Sequence, residues 1–156
     1  MKFTKILSKT LFLSVLSLTL LFVSCKDDDK EPENVDTNPI VGSWQYSSAT
    51  PETANANIPA LQLISAISCI NDLKLTFESN NNVVAANCQL AVDLMSAYVP
   101  ITSGSTWKVE NNTLTLKNGT TSRTFPIIQN GNDLTIVVAT DPQDATKNVL
   151  LKLKKV

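Results

Sequence analysis

Thr106-Trp107-Lys108-Val109-Glu110-Asn111-Asn112-Thr113-Leu114-Thr115-Leu116-Lys117 reads as two strands joined by a tight turn. Leu114 and Leu116 alternate with polar neighbours, the period of a strand with one buried face. Asn111-Asn112 between the two runs is a hairpin signal, because asparagine tolerates positive φ and bonds its own backbone.

The same grammar repeats in both directions. Upstream, Leu73-Lys74-Leu75-Thr76-Phe77-Glu78 alternates cleanly and points Leu73, Leu75 and Phe77 to one side. Asn80-Asn81-Asn82 turns the chain, and Val83 to Asn87 can return as a partner strand, with Glu78 opposite Val83 and Leu73 opposite Cys88. Ile40 to Tyr46 is a first strand carrying Gly42, Trp44 and Tyr46 on one face. Downstream, Asn118-Gly119 turns into Ser122 to Gln129, where Pro126 predicts a bulge or an edge because it cannot donate to a ladder. Asn130-Gly131-Asn132 turns into Leu134 to Ala139. After Asp141-Pro142, Asn148 to Lys155 alternates Val149, Leu151 and Leu153 with Leu150, Lys152 and Lys154. Two short helices interrupt the strands. One runs from a cap at Asn57 through Pro59 to about Ser68, showing Leu61, Ile64 and Ile67 on neighbouring turns. The other runs from Gln89 to Tyr98 and ends before Pro100, with Leu90, Leu94 and Tyr98 spaced by four. The expectation is an all-β domain of about eight antiparallel strands with short helices, as a closed barrel or a sandwich.

The N-terminus carries a different signal. Lys2, Lys5 and Lys9 precede an apolar run from Leu11 to Val23 broken by Ser14, Ser17 and Thr19. That run is well short of the roughly 20 residues a spanning helix needs. Ser24 directly before Cys25, with Phe22-Val23 ahead of it, resembles the lipobox of lipoproteins of gram-negative bacteria. The resemblance implies removal of residues 1–24 as a signal peptide and acylation of Cys25 as the first mature residue. Phe22 departs from the leucine more usual there, and an uncleaved anchor or a simple cleaved signal are the alternatives. Each buried CH₂ contributes about 0.8 kcal/mol, so permanent attachment needs more than one acyl chain. Asp27, Asp28, Asp29, Glu31 and Glu33 against Lys26 and Lys30 make residues 25–39 a flexible acidic tether. Cys25-Lys26-Asp27-Asp28 also resembles the export signal that carries some lipoproteins to the outer face of the outer membrane. That implies a cell-surface position, with a periplasm-facing one as the alternative.

Composition excludes several functions. Beyond residue 24 the chain holds 10 basic and 14 acidic residues, a net charge near −4. Without a basic stripe to neutralise phosphates, no nucleic-acid partner is expected. The chain has no histidine. A Ser-His-acid arrangement is therefore impossible, and Asp72, Glu78, Asp93 and Glu110 form no recognisable acid/base spacing. The expectation is a protein that is not an enzyme and holds no metal or cofactor. With Cys25 lipidated, Cys69 and Cys88 remain for an oxidising compartment. One disulfide closing a loop of about 20 residues would stabilise by roughly 3 kcal/mol, the alternative being two buried thiols that never meet.

An antiparallel meander opening with Gly42-Ser43-Trp44 is similar to the lipocalin-like domains, as is the run Thr106-Trp107-Lys108-Val109 through Leu114-Thr115-Leu116. The resemblance covers residues 40–156. It implies a barrel whose first-strand tryptophan plugs one end, and binding of a small apolar ligand inside. Leu75, Phe77, Trp107, Leu114, Leu116, Leu134 and Ile136 would then line the site, or would fill the interior as ordinary core. Lipocalins commonly pack a late arginine over that tryptophan. Here the only arginine is Arg123, on the sixth strand, and the last strand offers Lys152 and Lys154. A surface protein with a solid barrel, binding a protein or glycan through its loops, is the alternative function.

Overall fold

The structure, a computed structural model, describes residues 38–156. The signal segment, Cys25 and the tether up to residue 37 lie outside the described residues.

Eight strands form one antiparallel sheet: β1 (Gly42–Pro51), β2 (Lys74–Phe77), β3 (Val83–Ala86), β4 (Thr106–Glu110), β5 (Thr113–Asn118), β6 (Thr121–Asn130), β7 (Asp133–Ala139) and β8 (Asn148–Lys155). The helices are α1 (Pro59–Ser65), between β1 and β2, and α2 (Gln89–Met95), between β3 and β4. The spatial order is β3-β2-β1-β8-β7-β6-β5-β4, so the first and last strands pair and only β3 and β4 are left as edges. These meet through the bridge Asn82↔Thr106, flanked by Val83 N–H donating to the Ser105 carbonyl at 3.0 Å and Trp107 N–H to the Asn81 carbonyl at 2.8 Å. The result is a nearly closed barrel. With eight strands its interior is about wide enough for side chains to fill.

The hairpin around Asn111-Asn112 forms as expected. Asn111 and Asn112 both take positive φ, 49° and 59°, and Val109 faces Leu114 across the turn. Inward residues are those of the alternating runs: Leu73, Leu75, Phe77, Leu114, Leu116, Leu134, Ile136, Val149, Leu151 and Leu153 are all buried.

Four details differ from the sequence reading. The β2–β3 register is one residue shorter, with Phe77 opposite Val83. Residues directly opposite share a face, so pairing Glu78 with Val83 would have set a charged residue and a core valine on the same side. Strand β1 runs on to Pro51, because a register shift between Tyr46 and Ser48 resets its alternation. Helix α1 begins after Ile58 rather than Asn57, whose carbonyl instead accepts from Lys147 Nζ at 3.0 Å, and it ends at Ser65. Helix α2 ends at Met95 and buries Ala91, Val92 and Met95, while Leu90 is exposed. Spacing by four alone does not choose which stripe faces inward. Cys88 before the helix and Val99 after it are buried and extend the stripe that does.

Pro126 lies in an interior strand, paired with Thr113 of β5, at the point where pairing with β7 stops, so the expected edge is local to one side of β6. Residues 121–126 of β6 pair with β5, and the ladder to β7 begins only at Ile127↔Ile136. Upstream of that point β6 and β7 splay apart.

Candidate functional site

The barrel has a plugged end, a packed middle and a lidded end. At the plugged end Trp44 is fully buried and its indole N–H donates to the Ile40 carbonyl at 2.7 Å, which satisfies its one donor. Lys155 Nζ lies 5.3 Å from the centre of the Trp44 ring, within cation–π range. The last strand thus does place a cation over the tryptophan, but it is Lys155 rather than Lys152 or Lys154. Lys155 Nζ also reaches the Pro39 carbonyl at 3.3 Å, which Gln129 Nε2 contacts at 3.2 Å. Gly42 makes this crossing possible. It sits at φ +129°, and a Cβ there would stand 3.0 Å from Lys155 Cε.

In the middle, Leu75, Phe77, Trp107, Leu114, Leu116, Leu134 and Ile136 are brought into one cluster, none more than 2% exposed. Phe77 and Trp107 meet edge to face at 5.6 Å, and Trp107 Nε1 donates to the Glu78 carbonyl at 3.0 Å. These seven pack against each other and their neighbours.

Open space occurs at the lidded end. A pocket of about 30 Å³ lies under α1, bounded by Ala49, Ala60, Ile64, Met95, Tyr98, Val99, Val138, Thr140, Val149 and Leu151. None of these belongs to the set picked from the sequence. Ile64 and Val149 could be read as inward residues of their elements, but Ala49 could not, since the irregularity at Ser47 sets its direction. Outside this pocket, the splay between β6 and β7 opens a cleft of about 400 Å³ that includes Tyr98, Arg123, Phe125, Pro126, Val137 and Asn148. Arg123 Nη1 donates to the Tyr98 carbonyl at 3.1 Å.

The lid has one fixed and one loose half. Cys69 and Cys88 form a disulfide with a Cα separation of 5.5 Å, tying the turn after α1 to the residue preceding α2. Helix α2 buries three side chains. Helix α1 buries none of its own residues; Ile64 is partly buried against the core, and Ile58 and Ile67 are buried on either side of the helix. Few buried apolar contacts mark a segment that opens at low cost.

Two titratable groups near these features are displaced from their ordinary behaviour. Burial beside the β1 irregularity raises the Tyr46 phenol, partly offset by a hydrogen bond with the Ala49 backbone. Asp144 is lowered, chiefly by its hydrogen bond with the Thr146 side chain.

No curated protein and no solved structure matches the chain. A family model describing a lipocalin-like domain matches residues 40–136, from the residue that accepts the Trp44 indole bond to the middle of β7. With the barrel order, the Gly42–Trp44 plug and the cation above it, that match makes this chain a member of the lipocalin-like domain family.

Proposed function

We propose that the chain is a lipid-anchored protein of the bacterial envelope, held through Cys25, whose barrel binds a small apolar ligand and carries out no catalysis. The lipobox-like segment before Cys25 supports the anchor, and the acidic run behind it supports exposure at the cell surface. The observation that carries the binding reading is the apolar pocket roofed by α1, a helix with no buried residue. At about 30 Å³ it is an order of magnitude below the roughly 300 Å³ of a ligand site. Binding therefore requires α1 to lift while the disulfide holds α2 in place.

Native mass spectrometry of gently purified protein, together with titration by a lipophilic dye, tests this. A co-purifying apolar mass or saturable dye uptake is expected, and Ile64→Trp, which fills the pocket, is expected to remove it. A barrel that stays empty and takes up no dye overturns the carrier reading. Cys25→Ala should release the protein from membranes; retention would count against lipidation.

The packed middle of the barrel favours a second reading, a solid scaffold whose loops bind a protein or glycan partner. An empty, dye-negative protein would leave that reading standing.

A further inference from the structure

Tyr98 lines both the apolar pocket under α1 and the cleft between β6 and β7. One residue therefore borders both spaces, and its carbonyl is the group that Arg123 contacts. The two differ in chemistry. The interior pocket is apolar, whereas the cleft contains Arg123, the chain's only arginine. Arg123 lies opposite Leu116, a core residue, so it occupies an inner-face position of β6, yet it is exposed and lines the cleft. Its Nη1 donates to the neutral Tyr98 carbonyl, and among the described residues it makes no ion pair. A guanidinium carries five donors in a fork suited to a carboxylate or phosphate, so one carbonyl leaves most of them for an anion.

We propose that the ligand is a single-chain amphiphile with an anionic head. Its chain passes Tyr98 into the pocket under α1, and its head remains in the β6–β7 cleft on Arg123. This rests on the apolar-ligand reading above and adds the route and the head-group chemistry. Pro126 makes the route possible: without an N–H it cannot continue the β6–β7 ladder past Ile127↔Ile136, and the wall stays open there.

The test uses the full-length chain carrying Cys25→Ala, which keeps the anchor's own acyl chains out of the assay. Displacement of a bound neutral lipophilic dye is measured with dodecanoate and with dodecan-1-ol at neutral pH, where the carboxylate is ionised. Dodecanoate should bind about tenfold more tightly than the alcohol, as a charge-assisted bond to Arg123 implies. Arg123→Gln should bring the two to parity by weakening dodecanoate alone, and Arg123→Lys should restore part of the preference. Tyr98→Ala should speed association of both ligands several-fold. Equal binding by the unaltered barrel, a preference that survives Arg123→Gln, or an association rate indifferent to Tyr98→Ala overturns this proposal while leaving the apolar-ligand reading intact. Failure of the dye and both ligands to bind overturns both.

Discussion

Lys155 Nζ stands 5.3 Å over the ring of Trp44, and the stem that brings it there crosses the open face of Gly42. Trp44 and Lys155 are also register partners, so the first and last strands pair at the point where the plug is covered. Gly42, Trp44 and Lys155 thus form one unit: a residue without Cβ, an aromatic floor and a cation threaded between them.

Gly42→Ala should destabilise the fold by about 1–3 kcal/mol, the cost of holding a non-glycine residue in sparsely populated backbone space. The φ of +129° sets most of this, because Lys155 Cε, 3.0 Å away, belongs to a flexible side chain that can move aside. Lys155→Met alone should cost about 0.5–1 kcal/mol through the lost cation–π contact. Urea titration of both variants and of the double variant separates the two causes. If Lys155→Met rescues Gly42→Ala, crowding by the lysine rather than the backbone is the reason for the glycine.

Replacing Cys69 and Cys88 by alanine opens a loop with a sequence separation of 19. The chain-entropy account gives a loss of about 3 kcal/mol. It should also free the fixed half of the lid, so amides of α2 should exchange faster by more than the global loss explains. Uniform acceleration across all strands would show that the disulfide acts on the unfolded chain alone.

Tyr46 titrates above its ordinary value near 10 because burial disfavours the phenolate. The folded state therefore holds this proton more tightly than the unfolded chain. Stability from this group is fully present below the unfolded pKa and falls as pH rises through the folded one. Tyr46→Phe should flatten the alkaline limb of a stability–pH curve above about pH 10 relative to the unaltered protein. Identical limbs would mean the phenol is as well solvated folded as unfolded.

What could be read from the sequence follows from periodicity. The runs at Leu73–Phe77, Thr113–Lys117 and Asn148–Lys155 alternate without interruption, and each became a strand with the expected face inward. Where a single residue breaks the phase, the reading stops. Beyond Tyr46 the shift before Ser48 moves the inward set from Trp44 and Tyr46 to Ala49, hiding half of β1 and with it a wall of the pocket. Helical faces were less legible than strand faces, since Leu90 and Ala91 begin competing stripes and only tertiary packing chose the second. The cation over Trp44 escaped because Lys152, Lys154 and Lys155 are chemically alike. Register alone singles out the one opposite the tryptophan.

Trp107 is where the barrel closes, and it offers the sharpest test of the fold. Its backbone N–H reaches Asn81, its indole N–H reaches the Glu78 carbonyl, and its ring meets Phe77 edge to face. One residue of β4 therefore holds the β2–β3 turn on three counts, although the seam contains a single registered bridge. Trp107→Phe keeps the aromatic contact but removes the indole bond and part of the volume. A loss of about 2–3 kcal/mol is expected from the two together. The location of the damage separates a seam from ordinary core. The Val83 amide, which donates across the seam to Ser105, should lose exchange protection well before the amides of the β7–β8 ladder. Leu134→Ala, an equally buried position between β6 and β8, should match the loss of stability without singling out Val83. If both variants expose Val83 to the same degree, the barrel opens as a whole, and Trp107 acts as core packing and not as a clasp between β3 and β4.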